Sequence, residues 1–371
     1  MSTPTAIRPQ REPAEAGQSL LPRIEIDLGA LAANWRRLAA DAAPAACGAV
    51  VKADAYGLGL GPAALALARA GTRSFFVAHE EEGLALRRHL GPGPEIWLLS
   101  GCAPGQLPVC AEAGLWPVLN TPEAVQAFAG ADGVQGGLMV ETGMNRLGLP
   151  PESARAALAA LGGEAGRIRL VLGHLACADM PDHPLNARQL AAFAALGDLL
   201  PGVPRSLANS GGMALGTAYG FDLVRPGIRL YGGSAGPRAP ALAPVVRYTA
   251  PVLQIRTLAP GESVGYGATF AAGEPCRIAT IGAGYADGVP RALSGRGLAA
   301  ACGRHLPFVG RVSMDSFALD VSALPEGALA PGDSVELLGR ALPLDLAADR
   351  AGTIGYELLT GLGRRPGRVY K

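Results

Sequence analysis

The sequence predicts an α/β architecture, an N-terminal (β/α)8 barrel followed by a C-terminal mainly-β domain. Three observations carry this reading. From Arg23 to about residue 240, short apolar runs alternate with stretches of helical spacing, roughly eight times. Beyond Pro240 the helical spacing fades, and apolar runs follow one another across Pro-Gly turns. Lys52, Arg146, His174, Ser210 and Arg225 each fall in or just after an apolar run. A barrel would carry its functional groups there, at the C-terminal ends of its strands. A doubly wound open sheet is the alternative that the same alternation allows.

The elements follow in chain order. Residues 1–22 are rich in Pro, Gln, Glu and Ser and lack an apolar h-region, so a disordered tail is expected, not a signal peptide. Ile24–Leu28 reads as a strand, and Leu28, Leu31, Trp35 and Leu38 then fall at helical spacing. Gly48–Val51 is the strand leading to Lys52, and an Ala/Leu helix is expected over 62–70. Ser74–Ala78 is a strand, and 80–89 a helix whose acidic start and basic end suit the helix dipole. Strands follow at 95–99 and 115–119, and Thr121-Pro122-Glu123 supplies a cap with proline at the first helical position. Further strands are expected at 138–141, 168–175, 206–208 and 223–225, with a long helix over 184–200. In the second half, 252–258, 277–281 and 335–338 read as strands, punctuated by Pro260-Gly261 and Pro331-Gly332-Asp333. These readings divide the chain into a tail over 1–22, a barrel over 23–240 and a β domain over 241–371.

Composition limits the function. With 32 basic and 31 acidic residues the chain has no electrostatic footprint for nucleic acid or an anionic membrane, which points to a small-molecule partner. Every apolar run is broken well before the roughly 18 residues a membrane span needs. The six cysteines form no C-x-x-C pair, which argues against a metal knuckle or a disulfide framework and for a reducing, cytoplasmic setting. No metal site is expected.

Lys52 stands out for its chemistry. An amine at the end of a buried strand is desolvated, which lowers its pKa and fits it for Schiff-base formation with a carbonyl. The alternative is a lysine that caps the strand and reaches solvent. Likewise Ser210-Gly211-Gly212 can be an ordinary turn, Arg225 a rim ion pair, and Tyr266 between two glycines a turn residue.

The segments VVKADAYGLG (50–59), ETGMNRLGL (141–149), GHLACAD (173–179), ANS (208–210), FDLVRPGIRLYGG (221–233), SVGYGATF (263–270), IGAGYADGVPR (281–291), GRVSMD (310–315) and TIGYELLTGLGRR (353–365) widen the view. In kind and order they resemble the signature blocks of bacterial alanine racemases. The resemblance implies pyridoxal 5'-phosphate bound in the barrel, a head-to-tail homodimer with shared active sites, and D-alanine made for peptidoglycan. It implies Lys52 as the amine that carries the cofactor and as base on one face of the substrate, with Tyr266 of the partner subunit as base on the other. It implies a phosphate cup of Tyr56, Ser210, Tyr356 and the backbone of Gly227 and Ile228. Arg225 would face the pyridine nitrogen, and His174 would stand between Arg225 and Tyr266. Arg146, helped by the Met314 amide, would hold the substrate carboxylate. Tyr285, Asp179, Arg291, Arg311 and Ile354 would form the entrance.

Racemisation needs a base on each face of a planar carbanion, within hydrogen-bond reach. A phenol titrates near about 10, so a catalytic tyrosine needs positive charge or donated hydrogen bonds nearby. The sequence departs from the family where a carbamylated lysine usually orients the carboxylate-binding arginine. That position is Met139, which leaves Glu141, Asn145 or a bound anion to hold Arg146. Broader serine/alanine racemases share this departure, so a wider substrate range is one alternative. A non-catalytic cofactor carrier and a fold-related amino-acid decarboxylase are the others.

Overall fold

The computed structural model describes Leu20–Lys371, so most of the expected tail, residues 1–19, lies outside the described residues. The described chain forms two compact units that do not follow chain order. One holds Glu25–Arg247, Pro343–Leu362 and Arg368–Lys371, and the other, among the described residues, 20–24, Tyr248–Leu342 and Gly363–Gly367.

The first unit is a closed parallel barrel. Its strands are β1 (Ala49–Val50), β2 (Ser74–Val77), β3 (Glu95–Leu98), β4 (Leu115–Leu119), β5 (Gly136–Met139), β6 (Ile168–Leu172), β7 (Arg205–Ser206) and β8 (Leu223–Val224). Parallel pairing runs unbroken from β1 to β7. The Asp222 amide donates to the Arg205 carbonyl at 3.0 Å and the Arg225 amide to that of Ala208 at 2.9 Å, which joins β7 to β8. The ring closes where β8 pairs with Ala46–Cys47 and the Val50 amide donates to Pro226, 2.9 Å. An open sheet is thereby excluded.

Eight helices interleave with these strands: α1 (Leu28–Ala42), α2 (Leu60–Ala70), α3 (Glu80–Leu90), α4 (Leu107–Ala113), α5 (Pro122–Ala129), α6 (Pro151–Leu161), α7 (Pro184–Ala194) and α8 (Ser210–Leu215). Their starts are chemically specified. Asp27 accepts the Ala30 amide at 2.7 Å and turns the chain into α1, so the strand expected at Ile24–Leu28 is Arg23–Ile26 and stands outside the barrel. Thr121 caps α5 through the Ala124 amide at 3.2 Å, with Pro122 at the first position as expected. Helix α7 stops at Ala194, short of the expected Leu200, and gives way to turns around Gly197. Phe75, Phe76, Trp97 and Phe128 are fully buried in this unit. Each such side chain contributes about 1.5–3 kcal/mol through burial.

Directly after β1 the chain makes an unusual turn. Ala53, Asp54, Ala55 and Tyr56 all lie in the left-handed region, with φ of 54°, 55°, 53° and 58°. None is glycine, and each such residue costs about 1–2 kcal/mol of backbone strain. The turn persists because it is tied from several sides, as described below.

The second unit is antiparallel. Strands β9 (Val246–Leu258), β10 (Cys276–Ile281), β11 (Leu298–Ala301), β12 (Arg304–Val309), β13 (Phe317–Asp320) and β14 (Ser334–Leu338) pair in the order β10-β13-β12-β11-β14-β9. β9 then pairs back onto β10 and closes the ring. The expected Pro-Gly turns are present, with Gly261 at φ 89° and Gly332 at φ 90°, a conformation that glycine adopts without strain. Residues 343–362 follow this ring in sequence but belong to the barrel unit, where they form α9 (Leu344–Ala351) and α10 (Gly355–Thr360).

Candidate active site

A cavity of about 710 Å³ opens in the barrel unit, lined by Lys52, Tyr56, Met139, Arg146, His174, Ser210, Arg225, Gly227 and Tyr356 among others. The strand ends explain this convergence. Lys52 stands two residues beyond β1, His174 two beyond β6 and Arg225 one beyond β8, while Ser210 opens α8 after β7 and Arg146 lies in the loop after β5. Ile228 does not line the cavity. It is buried and opens the turn Ile228–Tyr231, whose first amides have no partner inside the turn.

Electrostatics set the protonation states. Burial, followed by the Arg146 charge, lowers the Lys52 pKa from 10.5, with Glu82 opposing. A larger share of the amine is therefore in the free-base form that reacts with carbonyls. Arg225 is buried, and burial lowers its pKa to about 10, so it stays protonated at neutral pH. It donates to the carbonyls of Ser206 at 2.8 Å and Gly173 at 2.6 Å and lies 3.4 Å from His174 Nδ1. Burial and the charges of Arg225, Arg146 and Lys52 push His174 down to about 3, which leaves its ring neutral. Tyr56 is raised by burial and then by Tyr356, and Tyr356 is itself pushed up by burial to about 12. Both phenols are therefore neutral hydroxyl donors at neutral pH.

The Tyr56 ring packs 4.7 Å from that of Tyr231 and 5.9 Å from that of Tyr356. Ser210 Oγ accepts the Gly227 amide at 2.8 Å, so two members of the expected phosphate cup bond each other. The backbone at Gly227 approaches so closely that an added Cβ would stand 2.2 Å from Tyr56 Oη.

Met139 is buried and lines the cavity. Glu141 braces the loop that carries Arg146 through that loop's backbone. Its carboxylate accepts the amides of Gly143 and, at 2.6 Å, Met144. Burial pulls the Glu141 pKa up, yet the amides of Asn145, Gly143, Met144 and Arg146 hold it below the usual carboxylate value. The Arg146 side chain itself is exposed.

Tyr266 and Met314 lie in the second unit and are 75% and 52% exposed. Tyr266 occupies a tight turn between Gly265 at φ 70° and Gly267 at φ 74°. The Arg311 guanidinium reaches within 3.0 Å of the point where a Gly267 Cβ would stand, which supplies positive charge beside the Tyr266 turn. Met314 is fixed by its neighbours, since the amides of Tyr285 and Ala286 donate to Ser313 and Met314 at 3.0 and 3.1 Å.

The family model for the alanine racemase N-terminal domain matches residues 26–235, and that for the C-terminal domain matches 245–370. The chain belongs to the alanine racemase family. It is 50% identical to an alanine racemase of Cereibacter sphaeroides over 349 residues, spanning 94% of this chain and 97% of that one. It is 46% identical to a catabolic alanine racemase of Agrobacterium fabrum, over 97% of this chain and 94% of that one. Among solved structures, alanine racemase from Bartonella henselae with covalently bound pyridoxal phosphate superposes with a TM-score of 0.89 at 40% identity, covering 95% and 99% of the two chains. The biosynthetic alanine racemase of Pseudomonas aeruginosa gives 0.89 at 37%, with the same coverage.

Three features of the racemase site were not read from the sequence. Asn209 lines the cavity and caps α8 through the Gly212 amide at 2.9 Å. Tyr231 backs Tyr56 and donates to the Val50 carbonyl at 3.1 Å. Glu82 bonds the residue next to Lys52. The sequence does set Lys52 apart by rarity, since the chain contains only two lysines, Lys52 and Lys371, among its 32 basic residues.

Proposed function

We propose that this family member interconverts L- and D-alanine with pyridoxal 5'-phosphate held in the barrel cavity. The observation that carries the reading is Lys52, an amine of lowered pKa in one cavity with Arg146, His174 and Arg225. The donor set fits the cofactor. It offers one amine, neutral hydroxyls at Tyr56, Tyr356 and Ser210, and a backbone approach at Gly227 too close for any Cβ. When bound, pyridoxal phosphate supplies a carbonyl that takes up an amine and a π system that accepts the electron pair left by the α-proton.

The residues then divide the work. Lys52 moves the proton on one face of the α-carbon, and the phenol of Tyr266 from the partner subunit of a homodimer moves it on the other. Arg146 binds the substrate carboxylate through its planar fork, with the Met314 amide of that partner assisting. Arg225, which keeps its own proton at neutral pH, would hold the cofactor's ring nitrogen as a hydrogen-bond donor and would not protonate it. Neutral His174 passes a hydrogen bond, not a proton, between Arg225 and the phenol.

The test is α-proton exchange in deuterated water with pyridoxal phosphate and L-alanine, D-alanine or L-serine in separate reactions, resolving products by chirality. Alanine should interconvert with deuterium at Cα, and no exchange with any substrate would contradict the proposal. Comparable racemisation of serine would widen the substrate class. Tyr266→Phe should lower racemisation in both directions by about a hundredfold or more, yet keep exchange in the one enantiomer that faces Lys52.

A further inference from the structure

We propose that Glu82 is a positioning residue for Lys52, a single carboxylate that clamps the left-handed turn behind the amine and ties it to the neighbouring barrel strand. The proposal rests on the reading of Lys52 as the reactive amine. Glu82 Oε2 accepts the Ala78 amide at 2.7 Å and the His79 amide at 3.3 Å, an ordinary closure of the start of α3. Glu82 Oε1 has no part in that closure. It reaches 29 residues back along the chain and accepts the Ala53 amide at 2.6 Å.

Ala53 adjoins Lys52 and is the first of the four consecutive left-handed residues. The later part of that turn is held by its own segment. Asp54 Oδ1 accepts the Leu60 amide at 2.7 Å, the Asp54 carbonyl accepts that of Gly59 at 2.9 Å, and the Ala55 amide donates to Val51 at 2.9 Å. The earlier part, from which the Lys52 side chain departs, is held from outside by Glu82. Without that bond the strained backbone can relax toward ordinary helical or extended angles and carry the amine with it.

Glu82 also acts on Lys52 as a charge. Arg146 disfavours the protonated amine and Glu82 favours it, while His174 in the same cavity is neutral, as are the phenols of Tyr56 and Tyr356. The clamp therefore predicts two separable effects, one on where the amine titrates and one on how well it is aimed.

The two-lysine composition makes the test clean. Trace acetylation of the full-length chain across a pH series, read by peptide mass, reports Lys52 with Lys371 as internal reference. A parallel series measures the rate at which pyridoxal phosphate attaches to Lys52, trapped by borohydride. Glu82→Gln keeps one acceptor for α3 but removes the charge and an oxygen. It should lower the Lys52 acetylation midpoint by about half a pH unit or more and slow attachment about tenfold. Glu82→Asp keeps the charge but is too short to bridge, so its midpoint should stay near that of the native chain while attachment slows. Glu81→Gln, the same charge change at an exposed neighbour, should alter neither. In alanine turnover the loss should appear in kcat with KM for alanine little changed. Native midpoint and attachment rate in Glu82→Gln, even with a lowered melting temperature, would reduce Glu82 to a helix cap and overturn the proposal. Failure of pyridoxal phosphate to attach to Lys52 in the native chain would instead refute the proposed function, and the acetylation midpoints would still decide the role of Glu82.

Discussion

Burial first, and then the charges of Arg225, Arg146 and Lys52, keep the His174 imidazole neutral. This has a consequence for stability. The folded pKa, about 3, lies below the ordinary 6.5, so between these values the unfolded chain binds a proton that the folded chain refuses. Above pH 6.5 the group contributes nothing to the pH dependence, and as pH falls through the window it progressively costs stability. From pH 6.5 to about 5 the loss should be on the order of 1–2 kcal/mol. Urea unfolding at pH 7 and at about pH 5 checks this, with His174→Gln flattening the decline. Equal declines in the two proteins would contradict the assignment. At this scale the sequence was informative where chemistry is rare and uninformative where it is common. An amine after an apolar run marks itself, and Met139 announces that the usual lysine is missing. Glu82, by contrast, sits in an acidic helix start that fully accounts for it as a dipole partner. That its second oxygen crosses to the turn after the preceding strand depends on spatial proximity, which no local periodicity encodes.

Among the elements, the alternation of apolar runs and helical spacing revealed the strands because barrel strands are buried on both faces. Their ends were less visible. The expected strand Ile168–Leu175 is longer than the observed one, which stops at Leu172, because Gly173 and Leu175 beyond it are buried as well. The left-handed turn after β1 was not legible at all, because Ala53–Tyr56 contains no glycine to signal it. Its conformation is imposed by Glu82, Asp54 and the packing of Tyr56 against Tyr231 and Tyr356. The approach of Gly227 to Tyr56 gives a test of that packing. Gly227→Ala must displace the Tyr56 hydroxyl, since the new Cβ would stand 2.2 Å from it. We expect affinity for pyridoxal phosphate to fall about tenfold or more while the barrel stays folded, as read by fluorescence titration and circular dichroism. Unchanged affinity would remove Tyr56 from the phosphate cup.

For the whole molecule, the barrel and the β-rich half were both legible, since the change from helical spacing to turn-separated runs marks a change of architecture. The return of residues 343–362 to the barrel unit was not, because nothing in α9 or α10 states which body they pack on. That return matters, for it brings Tyr356 beside Tyr56. Tyr266, Tyr285 and Met314 remain 75%, 44% and 52% exposed, a group of large side chains that a second copy would cover in the proposed homodimer. Among the described residues no helix is long and apolar enough to cross a membrane. The proposed sharing of Lys52 and Tyr266 between subunits is tested most directly by mixing two inactive variants. Lys52→Ala and Tyr266→Phe, unfolded and refolded together, form mixed dimers in which one site regains both residues. Random pairing should restore about a quarter of native racemase activity. Activity no greater than that of the separate variants would show that the two bases do not come from different subunits.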